Sequence, residues 1–256
     1  MVHGLLAGFR LELRVVRANP DALIPLVMAP LFAVIFLAIM RQSGRSDLEA
    51  DALMAPVLMS LWWIALVQAG FMITADRWQA VLEPVIAAPT SLASALVGRI
   101  ACLMCVGLLS FFEVWLAGWI VFGVSIPFEH PGELVLTLAA TALAMAGAAV
   151  AFASLFVMTR NAYTFINSAN FPFYVLGGVL VPVAYLPDWI QPLSSVLFLS
   201  WSADLLRATL KEPAVDDFWT RLGIVLLLGA LTFALGRAVL SHVLRRMREK
   251  GELATA

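Results

Sequence analysis

The sequence predicts an all-α membrane protein, one membrane domain over residues 1–256 with six transmembrane helices. An amphipathic N-terminal interfacial helix precedes the spans, and re-entrant outer helices stand between spans five and six. Three observations carry this reading. Hydrophobic residues make up 62% of the 256-residue chain and charged residues 13%, against about 45–50% and about 25% in soluble domains. Mean hydropathy is +0.94, and several apolar runs reach the roughly 18 residues that a membrane-crossing helix needs. Finally, the stretch 163–210 is an apolar run that breaks at Gly177-Gly178 and Pro182. It crosses Leu186-Pro187-Asp188-Trp189 and re-enters an apolar segment ending in Ser202-Ala203-Asp204-Leu205-Leu206-Arg207. A plain spanning helix needs no such punctuation.

The charge balance, 16 basic against 17 acidic residues, argues against a nucleic-acid partner. Cys102 and Cys105 sit i, i+3 inside an apolar segment. Without further ligands nearby they read as packing residues, and no metal site is expected. No cleavable signal peptide is expected either, because the first apolar run follows three arginines and lacks a small-residue cleavage site.

Residues 1–19 form the first element. Leu5, Phe9, Leu13 and Val16 fall on one helical stripe, and Arg10, Arg14 and Arg17 on a neighbouring one. Such a helix suits a membrane interface, apolar side chains in lipid and arginines toward anionic headgroups; a solvent-facing N-terminal extension is the alternative. Span one is 22–40, with Pro25 and Pro30 expected to kink it. Span two is 53–75, where Trp62 and Trp63 lie too deep for the usual interfacial belt and are expected to face protein or a pathway rather than bulk lipid. Residues 76–91 make the longest polar-to-mixed connection.

Span three covers 92–123. Glu113 stands 14 positions beyond Arg99, roughly 21 Å deeper along the helix. A carboxyl at that depth is either a pathway residue or a hydrogen-bonded lock between helices; both readings stay open. Span four, 134–158, carries Ala144, Gly147, Ala148 and Ala151, small residues that let membrane helices approach closely. Span five is 162–183 and span six 218–242. Eleven of the 16 basic residues fall on the side of the two termini: Arg10, Arg14, Arg17, Arg77, Arg99, Arg160, Arg237, Arg245, Arg246, Arg248 and Lys250. The other five are Arg41, Arg45, Arg207, Lys211 and Arg221. The positive-inside rule therefore places both termini in the cytoplasm, and the cell (plasma) membrane is the expected location.

The whole layout resembles the ABC-2 type transporter permeases, the membrane-spanning subunits of type-2 ABC exporters of the drug-resistance kind. The connection after span two is similar to that family's coupling motif through Leu82-Glu83, Pro89-Thr90-Ser91 and Gly98-Arg99. A second matching run is Leu176-Gly177-Gly178, Pro182, Leu186-Pro187 and Trp189, followed by Asp204 and Arg207. Two departures stand out. Ala80-Val81 replace a Gly-Thr, with Pro84 interrupting the coupling element, and Leu197-Phe198 stand where an Asn-Pro is usual.

The resemblance implies a dimer, formed by a second copy or a related permease, and an ABC ATP-binding subunit docked on each permease. The chain has no G-x-x-x-x-G-K-[ST] phosphate loop, so ATP and Mg belong to that partner and this chain binds no cofactor. Asp76, Arg77, Leu82, Glu83 and Pro89 are expected to couple the two chains. Gly177, Gly178, Pro182, Pro187, Trp189, Asp204 and Arg207 are expected to form an outer gate. Gly177-Gly178 weakens the end of span five and Pro182 stops it. Residues 188–209 then dip back as re-entrant helices buried in protein or lining a cavity, with Asp204 and Arg207 paired on one helix face, either to hold the gate or as a surface ion pair of little weight.

The implied activity is efflux of an amphipathic small molecule, a drug or secondary metabolite, with antibiotic resistance as a consequence. Export of a glycolipid or polysaccharide is the alternative within the family. A membrane-embedded enzyme or assembly factor is the alternative outside it. His3, His130 and His242 stand in no metal or nucleophile spacing, so no catalytic residue is expected.

Overall fold

A computed structural model describes residues 2–44, 48–70, 72, 76, 92–124, 129–158, 162–211 and 214–250. Those residues are helical and connecting, with no strand among them. Helix α1 is Val2–Ala18, followed by a 3-10 turn, Pro20–Leu23, whose start is capped by the Asn19 side chain. Then come α2, Ile24–Gln42, and α3, Glu49–Trp63, which runs on as a π-helical segment, Ile64–Ala69. Helices α4, Leu92–Phe122, and α5, Pro131–Met158, are long. The 15-residue α6 is Ala162–Leu176. Short helices α7, Gln191–Ser195, and α8, Phe198–Ala208, follow, and α9 is Phe218–Lys250.

Five of these helical segments are long and apolar enough to cross a membrane: Asp21–Gln42, Asp51–Ala69, Ser94–Phe122, Pro131–Phe156 and Phe218–Val239. Helix α6, within the span expected over 162–183, stops at Leu176 and is about 22 Å long. The spans differ in burial. The apolar windows of the second and fourth are 72% and 67% buried, those of the first and last 28% and 22%. Helices α3 and α5 therefore make the centre, and α2 and α9 the flanks. On the flanks Val27, Leu31 and Ile35 of α2, and Leu227, Leu231 and Leu235 of α9, are exposed at helical spacing. Outward apolar stripes of this kind suit lipid as the solvent, since lipid gives no drive to bury them.

Several sequence expectations acquire physical detail. Pro25 sits in the first turn of α2, where its missing N–H costs nothing, so only Pro30 lies inside the helix. Trp62 is buried, with its ring 4.7 Å from Phe173 and 5.6 Å from Phe152, joining α3, α5 and α6. Trp63, one residue on, is instead exposed. Cys102 is buried and Cys105 exposed, both as free thiols.

The small residues of α5 find their partner in α9. A Cβ on Gly229 would strike Ala144, and one on Gly236 would strike the backbone of Ala151. Small side chains on both helices thus bring two backbones together, as membrane packing favours.

The bundle has two distinct polar ends. At one, Arg41 pairs with Glu49 at 3.1 Å and also donates to the Phe122 carbonyl, while Lys211 lies 3.5 Å from Asp51. At the other are Glu12, Asp76 and Arg99. Arg99 and Phe122 are both on α4, about 34 Å apart along it, so the two ends sit on opposite sides of the apolar slab.

Candidate functional site

The first site grows from the packing of α1. Its most buried stripe is Gly4, Gly8, Glu12 and Val16, an i, i+4 series beside Leu5, Phe9 and Leu13 of the stripe expected to dip into lipid, with Val16 common to both. The seating of this stripe has a steric cause. Methyl groups on Gly4 and Gly8 would collide with Ser94 and the Ala95 carbonyl, and one on Gly98 with the Leu5 carbonyl. Backbone meets backbone here, so α1 lies on the start of α4 through its glycines, and Leu5, Phe9 and Leu13 flank the contact half-buried.

Glu12 continues that stripe and points at Arg99. The Arg99 Nε donates to Glu12 Oε2 at 2.7 Å. Its Nη2 donates to Asp76 Oδ1 at 3.2 Å, and its Nη1 to Asp76 Oδ2. The side chains of Arg99, Glu12 and Asp76 are only 9%, 7% and 12% exposed. One planar guanidinium thus holds two carboxylates by its separate edges, which a lysine ammonium cannot do. Of the residues expected to couple to a partner, Asp76 is the one described. Arg77, Leu82, Glu83 and Pro89 lie outside the described residues.

Reasoning from sequence missed Glu12 altogether, although a signal was there. Gly4, Gly8, Glu12 and Val16 form a small-small-acid-apolar series on one helical stripe, and a lone acid among apolar contacts requires a cation.

The second site lies toward the other end. Gly178 has φ +65°, the Gly178 N–H bonds to the Val175 carbonyl at 3.1 Å, and the Val179 N–H to the Tyr174 carbonyl at 3.0 Å. These bonds make a Schellman motif, so the Gly-Gly pair caps α6 rather than weakening a continuing helix. Gly177 lies under Leu199 of α8, which a Cβ there would strike. Pro182 then starts the 3-10 turn Val183–Tyr185, and Leu186 is extended ahead of Pro187, as the ring of a following proline requires. Trp189 is 81% exposed and makes no core contact.

Asp204 and Arg207 face each other from one helix, but loosely. Their closest approach is 3.7 Å, with the Asp204 side chain 41% exposed and that of Arg207 8%. The closer partner of Arg207 is the Val179 carbonyl, which accepts from Nη2 at 2.8 Å. Arg207 therefore ties α8 to the cap of α6.

Glu113 is half-buried on α4, and its Oε2 has no hydrogen-bond partner among the described residues. No group of His, Cys, Asp and Glu among those residues could hold a metal.

Five apolar spans with a buried ion-pair cluster at one end define a multi-pass membrane protein. A family model described as ABC-2 type transporter matches residues 13–211, most of the chain, and the protein belongs to that family. It is thus a transport permease. No curated protein matches the chain.

Proposed function

We propose that this chain is the membrane-spanning subunit of an ATP-driven exporter in the cell membrane, with both termini cytoplasmic. It carries an amphipathic small molecule outward. Energy comes from a separate ATP-binding subunit that docks on the 76–91 connection, and two permeases pair to enclose the pathway. In this reading α6 and the residues after it are the fifth of six spans, and α1 is the interfacial helix. Helices α7 and α8 re-enter from outside, and the Gly178 cap and Arg207 hold the outer gate closed.

The observation that carries this reading is the Arg99 cluster. It fastens α1 and the start of α4 to Asp76, the residue from which the 76–91 connection departs. A buried, doubly paired arginine at that point is a firm attachment for force arriving from the cytoplasm. The absence of a phosphate loop from the sequence leaves hydrolysis to the partner chain.

The test is affinity purification of the tagged permease from its own cell, followed by ATPase and transport assays on what is recovered. Recovery with an ABC ATP-binding subunit, and ATP-dependent uptake of an amphipathic dye into inverted vesicles, is the expected result. Recovery without such a subunit would refute the reading. Transport of a glycolipid in place of the dye would leave the energy source intact and overturn the cargo.

A further inference from the structure

The surface that follows the cap of α6 is more apolar than a loop in water needs to be. We infer that residues 180–197, with α7 among them, lie in the boundary between headgroups and acyl chains, at the membrane face opposite the Arg99 cluster. The partner of this surface is lipid, and of the two short helices only α8 is buried in protein. That the face is the outer one rests on the reading of both termini as cytoplasmic; the immersion does not.

Tyr185, Trp189, Leu193 and Val196 turn away from the bundle, 75%, 81%, 60% and 68% exposed. Phe198, Leu199, Ala203, Leu205 and Leu206 of α8 are by contrast buried. Asp188 is the one charged residue between Arg160 and Asp204. The polar side chains around it turn inward on the segment itself. Gln191 Nε2 donates to the Leu186 carbonyl at 2.9 Å and to Asp188 Oδ1 at 3.4 Å, and Ser195 Oγ to the Pro192 carbonyl at 2.7 Å. The backbone follows the same rule. Pro182, Pro187 and Pro192 carry no N–H, and the N–H groups of Tyr185, Leu186, Ile190 and Leu193 bond to carbonyls of the segment. Polar groups paired within and apolar groups turned out is what lipid demands and water does not.

The surface is also continuous with the lipid-facing flanks. Phe171 and Val175 are exposed on α6 and lead through Leu180 and Val181 into the segment. Trp219 is exposed at the start of α9, on the stripe that runs on through Leu227, Leu231 and Leu235. Trp119 is exposed on α4 one turn before Phe122, whose carbonyl meets Arg41. Helix α4 packs on α1, α2 and α3, and α9 on α5 and α8, so these rings stand on different sides of one end of the bundle. Aromatic rings around an end form an interfacial belt. A docked second copy would cover one side only.

Nitroxide labels read the contact directly. Leu193→Cys, Val196→Cys and Lys211→Cys are each made in full-length permease carrying Cys102→Ala and Cys105→Ala, labelled, and placed in liposomes of phosphatidylethanolamine and phosphatidylglycerol. The collision rate of each label with oxygen, which concentrates in lipid, is compared with its rate with a water-soluble nickel chelate. The ratio of oxygen to nickel rates should be several-fold higher at 193 and 196 than at 211, where the lysine side chain is 58% exposed beside Asp51. A ratio at 193 or 196 equal to that at 211 makes the segment an aqueous loop and overturns the inference. Low rates with both reagents at either position also overturn it, because protein then covers the surface. All three replaced side chains are exposed, so the labels leave the core intact, and monodisperse elution of each variant checks this. Labelling of Lys211→Cys on intact cells by an impermeant maleimide then sets the leaflet. Labelling only in opened cells would leave the immersion standing and reverse the orientation of the chain.

Discussion

Arg99 Nε stands 2.7 Å from Glu12 Oε2, two residues 87 positions apart in the chain. That bond makes the N-terminal helix part of span three. Asp76, seven residues beyond the second apolar segment Asp51–Ala69, completes the set, so three parts of the chain meet on one guanidinium.

The cluster sets the first expectation. Replacing Arg99 with Leu leaves two buried carboxylates facing each other without a cation, and breaking a buried ion pair in this way costs about 3–5 kcal/mol. Arg99→Lys keeps the charge but cannot serve both acids along separate edges, so it should fall between the two. Thermal unfolding of the purified permease in detergent ranks the three proteins. Equal midpoints for wild type and Arg99→Leu would mean the cluster contributes nothing to stability.

Helix α1 provides a second expectation through its glycines. Gly8→Leu must push α1 off the Ala95 carbonyl, and overpacking of this kind costs roughly 1–3 kcal/mol or more. Leu6, 52% exposed on the other side of the same helix, should accept Ala with little change. Limited proteolysis of α1 is the measurement, with early cleavage in Gly8→Leu and wild-type cleavage in Leu6→Ala. The reverse order would show that the apolar stripe, rather than the glycine stripe, seats the helix.

These two sites also show what the sequence could and could not disclose. Five of the spans were legible because apolar runs bounded by charge are read one segment at a time. The small face of α5 was legible too, as Ala144 and Gly147, but its partner α9 was not, since Gly229 and Gly236 match it only through tertiary contact. For α1 the apolar and small stripes are one residue apart, and hydrophobicity alone selects the larger side chains. Close approach selects the glycines, and only the position of Ala95 and Gly98 decides between them. The same limit applied to Arg207. Its i, i+3 neighbour Asp204 was visible in sequence, whereas the Val179 carbonyl, exposed by the cap at Gly178, depended on how α6 ends.

Arg207 and Asp204 should consequently respond unequally to mutation. Arg207→Ala removes a charged donor from a buried carbonyl, a loss of about 1.5–3 kcal/mol. Asp204→Ala removes a half-exposed partner at 3.7 Å, where ion pairs contribute about 0–1 kcal/mol. A double-mutant cycle on unfolding midpoints checks this, with a coupling energy below about 1 kcal/mol expected. Strong coupling would mean that Asp204, and not the Val179 carbonyl, is the main partner of Arg207.

The cap of α6 gives the last expectation. At φ +65° Gly178 occupies the left-handed region, where a side chain costs about 1–2 kcal/mol. Gly178→Ala should therefore destabilise the protein by about that much, and Gly178→Asn by less, because asparagine tolerates this conformation. Gly177 has a different reason to be glycine, the Leu199 side chain above it. Gly177→Ala should be relieved only in part by Leu199→Ala in the same molecule, because the Phe173 carbonyl also crowds a Cβ there, while Gly178→Ala, which meets Val183 instead, should not be relieved. Unfolding midpoints of the single and paired variants separate the Leu199 crowding at 177 from the left-handed backbone and the Val183 contact at 178. Rescue of Gly178→Ala by Leu199→Ala would mean that packing, and not the Schellman turn, ends α6. If the cap also holds the outer gate, cargo leak through membranes containing Gly178→Ala should rise alongside the loss of stability, and Gly178→Asn should leak less.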